Sequence, residues 1–176
     1  ANDELSFYFN YVTSDGAGYA DYAWARLLDG AGQQVALLFT ARTMANGKAV
    51  PGQEIPAPTA SLSPSTVNII ANANPVWSVL GSSSGTCYID LKSGCGYTDW
   101  VQAKFKIPQA GSYRLEIGAV NWDDQAYDSG LAIDGLMVGG QPPVVTPPTQ
   151  PGTTVQAVPS QSIAGILATS LGLIAT

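Results

Sequence analysis

Near its start the chain alternates with a period of two residues. Leu5, Phe7, Phe9 and Tyr11 share one side of an extended backbone, while Ser6, Tyr8 and Asn10 share the other. Successive side chains of a strand point to opposite faces, so this pattern describes a half-buried β-strand. Related runs return at Trp100–Ile107, at Tyr113–Val120, where the alternation is clean, and at Leu131–Val138. Before residue 139 no apolar stripe of helical period interrupts them. The 19 Gly and 12 Pro supply turns between many short strands. An all-β chain of this kind predicts a jelly-roll-like antiparallel β-sandwich with long loops.

Between the first and second strands lies Thr13-Ser-Asp-Gly-Ala-Gly, a turn segment. The run from Tyr19 to Leu28 and the run Val35–Thr40 flank Asp29-Gly-Ala-Gly, which makes them a hairpin. Val35–Thr40 is apolar on both faces and reads as a central strand. From Thr43 to Gly85 the alternation dissolves, punctuated by Pro51, Pro56, Pro58, Pro64 and Pro75. Proline cannot donate to a ladder, so this region predicts ordered loops, with edge strands at Thr66–Ile70 and Val76–Leu80.

After Asp134 no charged side chain occurs in the remaining 42 residues. Three units follow: a sandwich domain over 1–139, a Pro-rich linker over 140–152, and an apolar C-terminal tail over 153–176. The linker predicts a semi-rigid polyproline-II stalk. In the tail, Ile163, Ile166, Leu167, Leu171 and Ile174 fall on one helical face. Ile163, Leu167, Leu171 and Leu173 also fall on one face of a strand, so periodicity leaves both forms open. The run is shorter than the ~20 residues that span a bilayer as a helix. It needs a receiver: a membrane, its own domain, or a neighbour.

The net charge of −6 leaves too few cations for nucleic-acid phosphates or an anionic membrane surface. No His is present, which removes the commonest general base and transition-metal ligand. These absences predict a chain that is not an enzyme. The two Cys, Cys87 and Cys95, sit in a Gly- and Ser-bearing stretch, and their spacing suits a short disulfide clasp. A redox role would use an activated thiolate in C-x-x-C, and that spacing is missing. The chain opens at Ala1-Asn2-Asp3-Glu4 and enters a strand directly, as expected of an exported protein whose signal peptide has been cleaved.

Two residue sets are candidates for chemistry. Asp15 and Asp21 flank the first Gly turn, and Asp123, Asp124, Asp128 and Asp134 bracket the last loop. Loops at one end of a sandwich converge, and such hard oxygen donors suit calcium. Asp also favours turns, caps and solvent without any ligand. The same carboxylates form no recognisable acid/base pair. Among the aromatics, Trp77, Trp122 and Tyr127 are placed in loops as a platform for sugars, whereas Trp24 and Trp100 on strands are expected in the core.

The run from Phe9 through Leu28, beginning Phe9-Asn-Tyr-Val-Thr-Ser-Asp-Gly-Ala-Gly, resembles a family of secreted bacterial proteins that typically carry a PEP-CTERM-type (exosortase) sorting tail. The likeness continues through Leu38-Phe-Thr-Ala-Arg-Thr, Gly81-Ser-Ser-Ser-Gly-Thr-Cys, Gly94-Cys-Gly-Tyr-Thr-Asp-Trp and Val120-Asn-Trp-Asp-Asp-Gln-Ala-Tyr-Asp-Ser-Gly-Leu-Ala-Ile-Asp-Gly. It covers nearly all of residues 5–140. In the tail, Val158-Pro-Ser-Gln-Ser-Ile-Ala-Gly stands where the family has Val-Pro-Glu-Pro-Ser-x-Ala-Gly, so the Glu and the second Pro are missing. The resemblance implies export to the cell surface and names no activity. The expectation is an extracellular structural subunit that joins copies of itself head-to-tail, or the surface matrix, through its tail. The alternative is a calcium-dependent, lectin-like module that binds surface polysaccharide.

Overall fold

The alternation that begins at Leu5 becomes strand β1 (Glu4–Thr13), which buries Leu5, Phe7, Phe9 and Tyr11 completely or nearly so. The computed structural model describes residues 2–42, 48–49, 58–65, 67–68, 74–88, 95–144 and 169–175. The strands that follow are β2 (Tyr22–Asp29), β3 (Gln34–Arg42), β4 (Lys48–Ala49), β5 (Ser61–Ser63) and β6 (Val67–Asn68). After them come β7 (Gly96–Tyr97), β8 (Val101–Lys106), β9 (Gly111–Val120), β10 (Ser129–Val138) and β11 (Thr169–Ala175). Helical structure among the described residues is limited to short 3-10 turns at Ala17–Tyr19 and Ser78–Ser83. The fold class is all-β.

Two antiparallel sheets carry the core. One has the order β10-β1-β8-β5, with β7 also paired to β1; the other has the order β11-β9-β2-β3. A short pair, β4 with β6, stands apart from both. The inward residues of β1 meet those of β2, β3 and β9 in one apolar cluster. At its centre Phe9 of the first sheet stacks on Phe39 of the second, with ring centroids 3.8 Å apart and planes 7° from parallel. Burying a side chain of this size contributes about 1.5–3 kcal/mol. These are the contacts that hold the two sheets face to face.

Three local expectations are corrected. Strand β3 is an edge strand of its sheet, not a central one. Its double-sided apolarity has another cause. The register pairs Ala25 with Phe39 and Arg26 with Leu37, so Leu38 is an extra bulged residue. The same stretch is also covered, because Thr59 donates from both its N–H and its hydroxyl to the Leu37 carbonyl. The segment Val76–Leu80 is no strand; it leads into the Ser78–Ser83 turn and buries Leu80 fully. Trp100 is 45% exposed rather than buried, since Val101 and Ala103 take the inward parity of β8.

Of the two tail forms, residues Thr169–Ala175 adopt the strand. β11 runs antiparallel to β9, with Leu171 opposite Leu115 and Leu173 opposite Tyr113. It is the edge strand of the second sheet. The stretch 145–168, which holds most of the linker together with Ile163, Ile166 and Leu167, lies outside the described residues.

Candidate functional site

Strand register fixes which loops meet. Thr13 at the end of β1 pairs with Ser129 at the start of β10. Tyr22 at the start of β2 pairs with Val120 at the end of β9. The loop from Ser14 to Asp21 and the loop from Asn121 to Asp128 therefore cross between the sheets at the same end of the sandwich. Buried polar side chains gather there: Thr13, Ser14, Asp15, Asp21, Ser83 and Thr98. Buried polar groups need partners, and most of these have them.

Asp21 is the hub. Its Oδ1 accepts from the main-chain N–H of Trp122 at 3.0 Å, and its Oδ2 accepts from Ser129 Oγ at 2.6 Å. Its carbonyl accepts from the Tyr11 hydroxyl at 3.0 Å. Ser129 has a single hydroxyl proton, which goes to the carboxylate. The 2.7 Å contact between Ser129 and Thr13 therefore has Thr13 Oγ1 donating. Thr13 Oγ1 in turn accepts from the Asp15 N–H at 3.0 Å. A directed relay runs from the Asp15 amide through Thr13 and Ser129 to Asp21. Burial raises the Asp21 carboxyl to about 6, opposed by the donors from Ser129 and Trp122 and assisted by the charges of Asp124 and Asp128.

Asp15 is held differently. The residue is only 2% exposed, and its Oδ1 accepts from the Gly16 N–H at 2.6 Å. Its Oδ2 is buried without any hydrogen-bond partner. Desolvation raises this carboxyl to about 7; the Gly16 bond opposes the rise, and the charges of Asp21, Asp124 and Asp123 add to it. Gly16 itself has no room for a side chain, since a Cβ there would stand 2.9 Å from the Tyr88 ring.

The two crossing loops are stitched together and roofed. Ser14 donates from its N–H (3.2 Å) and its hydroxyl (3.0 Å) to the Asp128 carbonyl. Asn121 Nδ2 donates to Asp128 Oδ1 at 3.0 Å. The Cys87–Cys95 disulfide forms as expected, with Cα atoms 5.6 Å apart. It holds Tyr88, whose N–H donates to the Ser14 carbonyl at 2.8 Å. Tyr88 also meets Tyr19 and Tyr127 edge-to-face, and its hydroxyl is 3.0 Å from that of Tyr19. That hydrogen bond is the first cause raising the Tyr19 hydroxyl to about 12.

Five of the six Asp candidates, Asp15, Asp21, Asp123, Asp124 and Asp128, are thus brought to one end. Asp134 is not: it pairs with Tyr8 in mid-strand, and its Oδ1 accepts from the Gly135 N–H. Among the described residues, no three acidic side chains stand close enough to hold a metal ion as they are. The aromatic platform separates in a similar way. Trp77 packs against β10 at Gly130, where a Cβ would come within 2.7 Å of its ring. Tyr127 is engaged with Tyr88, whereas Trp122 is 63% exposed and leans on Tyr22 with centroids 5.8 Å apart. Near this end a cleft of about 320 Å³ is lined by Ser82, Ser83, Thr86, Gln125, Tyr127 and Asp128.

Sequence reasoning missed Thr13, Ser83 and Ser129, the hydroxyls that satisfy this end. No spacing joins residues 13, 83 and 129: strand register sets Thr13 opposite Ser129, and the Ser78–Ser83 turn brings in Ser83, whose Oγ accepts from the Asp128 N–H at 3.2 Å. No protein-family model, characterised protein or solved structure matches the chain.

Proposed function

We propose that the chain is an extracellular structural subunit, a jelly-roll-like module that joins copies of itself through its C-terminal strand. The observation that carries this reading is the antiparallel pairing of β11 with the edge of β9 over Thr169–Ala175. An edge strand presents unpaired N–H and C=O groups, and an added strand satisfies them whichever chain supplies it. The uncharged tail meets no repulsion on that edge. If the tail of one copy pairs with β9 of the next, the contact is head-to-tail and does not close, so filaments follow. Export and a cell-surface location belong to the same proposal, resting on the family resemblance and the disulfide.

The test is deletion of residues 153–176. Light scattering and electron microscopy should show polymers for the full chain and monomers for the deletion. Equal assembly by both chains would refute the reading.

A second reading, binding of surface polysaccharide, is favoured by the exposed Trp122 ring at the same end as a cleft lined with hydroxyl, amide and carboxylate groups. A glycan array probed with the full chain and with Trp122→Ala tests it. The expected outcome is hits that weaken in the variant; an empty array counts against it.

A further inference from the structure

We infer that Asp15 is the buried ligand of a calcium site, completed by loop carboxylates of Asp123 and Asp124 at the crossing-loop end of the sandwich. This inference rests on neither reading above. Its first support is an acceptor with nothing to accept. Asp15 Oδ2 has essentially no accessible surface and no donor within reach, while its sister oxygen is committed to Gly16. An unpaired buried carboxylate oxygen is costly, and such groups are resolved by a cation or an ordered water. Protonation removes the charge, but the resulting O–H still lacks an acceptor.

The second support is the composition of the surroundings. The charges bearing on Asp15 are those of Asp21, Asp124 and Asp123, all negative. Asp21 is already occupied by Trp122 and Ser129 through both oxygens. That leaves Asp123 and Asp124, which are exposed on the 121–128 loop; Asp124 Oδ1 accepts from the Ala126 N–H at 2.7 Å, so its Oδ2 is the oxygen offered to a cation. Their side chains are not within ligating distance as they stand, so binding requires them to close on Asp15. The loop backbone is anchored at both ends by the Trp122 and Asp128 hydrogen bonds. Calcium fits better than magnesium. It accepts six to eight oxygens in irregular geometry, including water and carbonyls, whereas magnesium demands a near-ideal octahedron.

The test uses the full chain stripped with chelator and titrated with Ca²⁺. At about 100 times Kd, mass action predicts a Tm rise of roughly 5–10 °C. Terbium should give luminescence sensitised by the neighbouring Tyr and Trp rings, and Ca²⁺ should quench it. Asp15→Asn should abolish both signals, and Asp124→Asn should weaken affinity about tenfold while leaving the fold intact. Asp134→Asn, outside the cluster, should change neither. No Tm shift up to ~10 mM Ca²⁺ would overturn the site, leaving a water at Oδ2. A shift that survives both Asp15→Asn and Asp124→Asn would overturn it equally, since general surface screening would then explain the effect.

Discussion

Ser129 occupies the most consequential position at the residue level, although a hydroxyl of this kind is unremarkable in a sequence. Its single proton serves the buried Oδ2 of Asp21, and its oxygen accepts from Thr13. Removing it strands a carboxylate oxygen away from water. Ser129→Ala should therefore destabilise the domain by about 1.5–3 kcal/mol in urea unfolding, more than an ordinary surface Ser→Ala change. The neighbouring carboxyls also set a pH dependence in metal-free solution. Asp15 and Asp21 hold their protons to about 7 and about 6 in the folded chain, against 3.8 for the ordinary side chain. Between pH ~4 and ~7 the folded state binds more protons than the unfolded one, so stability falls as pH rises through that window. With chelator present, Tm at pH 5 should exceed Tm at pH 8, and Asp15→Asn should flatten the slope. A Tm that climbs over the same range would contradict the raised values.

Among the elements, β9 decides most. It is paired on one side by β2 over eight residues and on the other by β11 over seven. The β2 side is part of the domain itself, and the β11 side depends on a segment joined through residues 145–168. Chain truncated after residue 152 should remain folded, because the described core cluster already joins both sheets through buried residues of β1, β2, β3, β8 and β9 together with Ala60 and Ile107. Its newly open edge should show in hydrogen exchange as lost protection at alternate amides of Gly111–Ile117. A synthetic peptide of residues 163–176 should restore that protection in trans. If the peptide leaves exchange unchanged, β9 is not the receiver of the tail.

Across the whole molecule, the charge is distributed unevenly. All charged residues lie at or before Asp134, and the tail that would join one copy to the next carries none. Assembly through main-chain bonds and apolar side chains should then be nearly independent of ionic strength. Polymer mass by light scattering should match at low salt and at 1 M salt, where the screening length is about 3 Å. Dissociation at high salt would point to a charged interface on the sandwich body instead.

What the residues determined alone was the class of structure: alternation in β1, clean alternation in β9, Gly and Pro turns, and two Cys spaced for a clasp. Those signals are local, because strand parity and turn geometry depend on neighbours a few residues apart. The core was legible for the same reason, since Leu5, Phe7, Phe9 and Tyr11 all face inward. The misread elements show the limit of that reasoning. Apolarity on both faces of Val35–Thr40 suggested a central strand, yet a bulge at Leu38 and a covering loop produce the same pattern at an edge. The candidate site was legible only as a pool of Asp residues. Pairing Thr13 with Ser129 and Tyr22 with Val120 brought five of them to one end and left Asp134 behind. That choice belongs to the tertiary structure, because residues about 100 positions apart become neighbours only when two sheets close over a shared core.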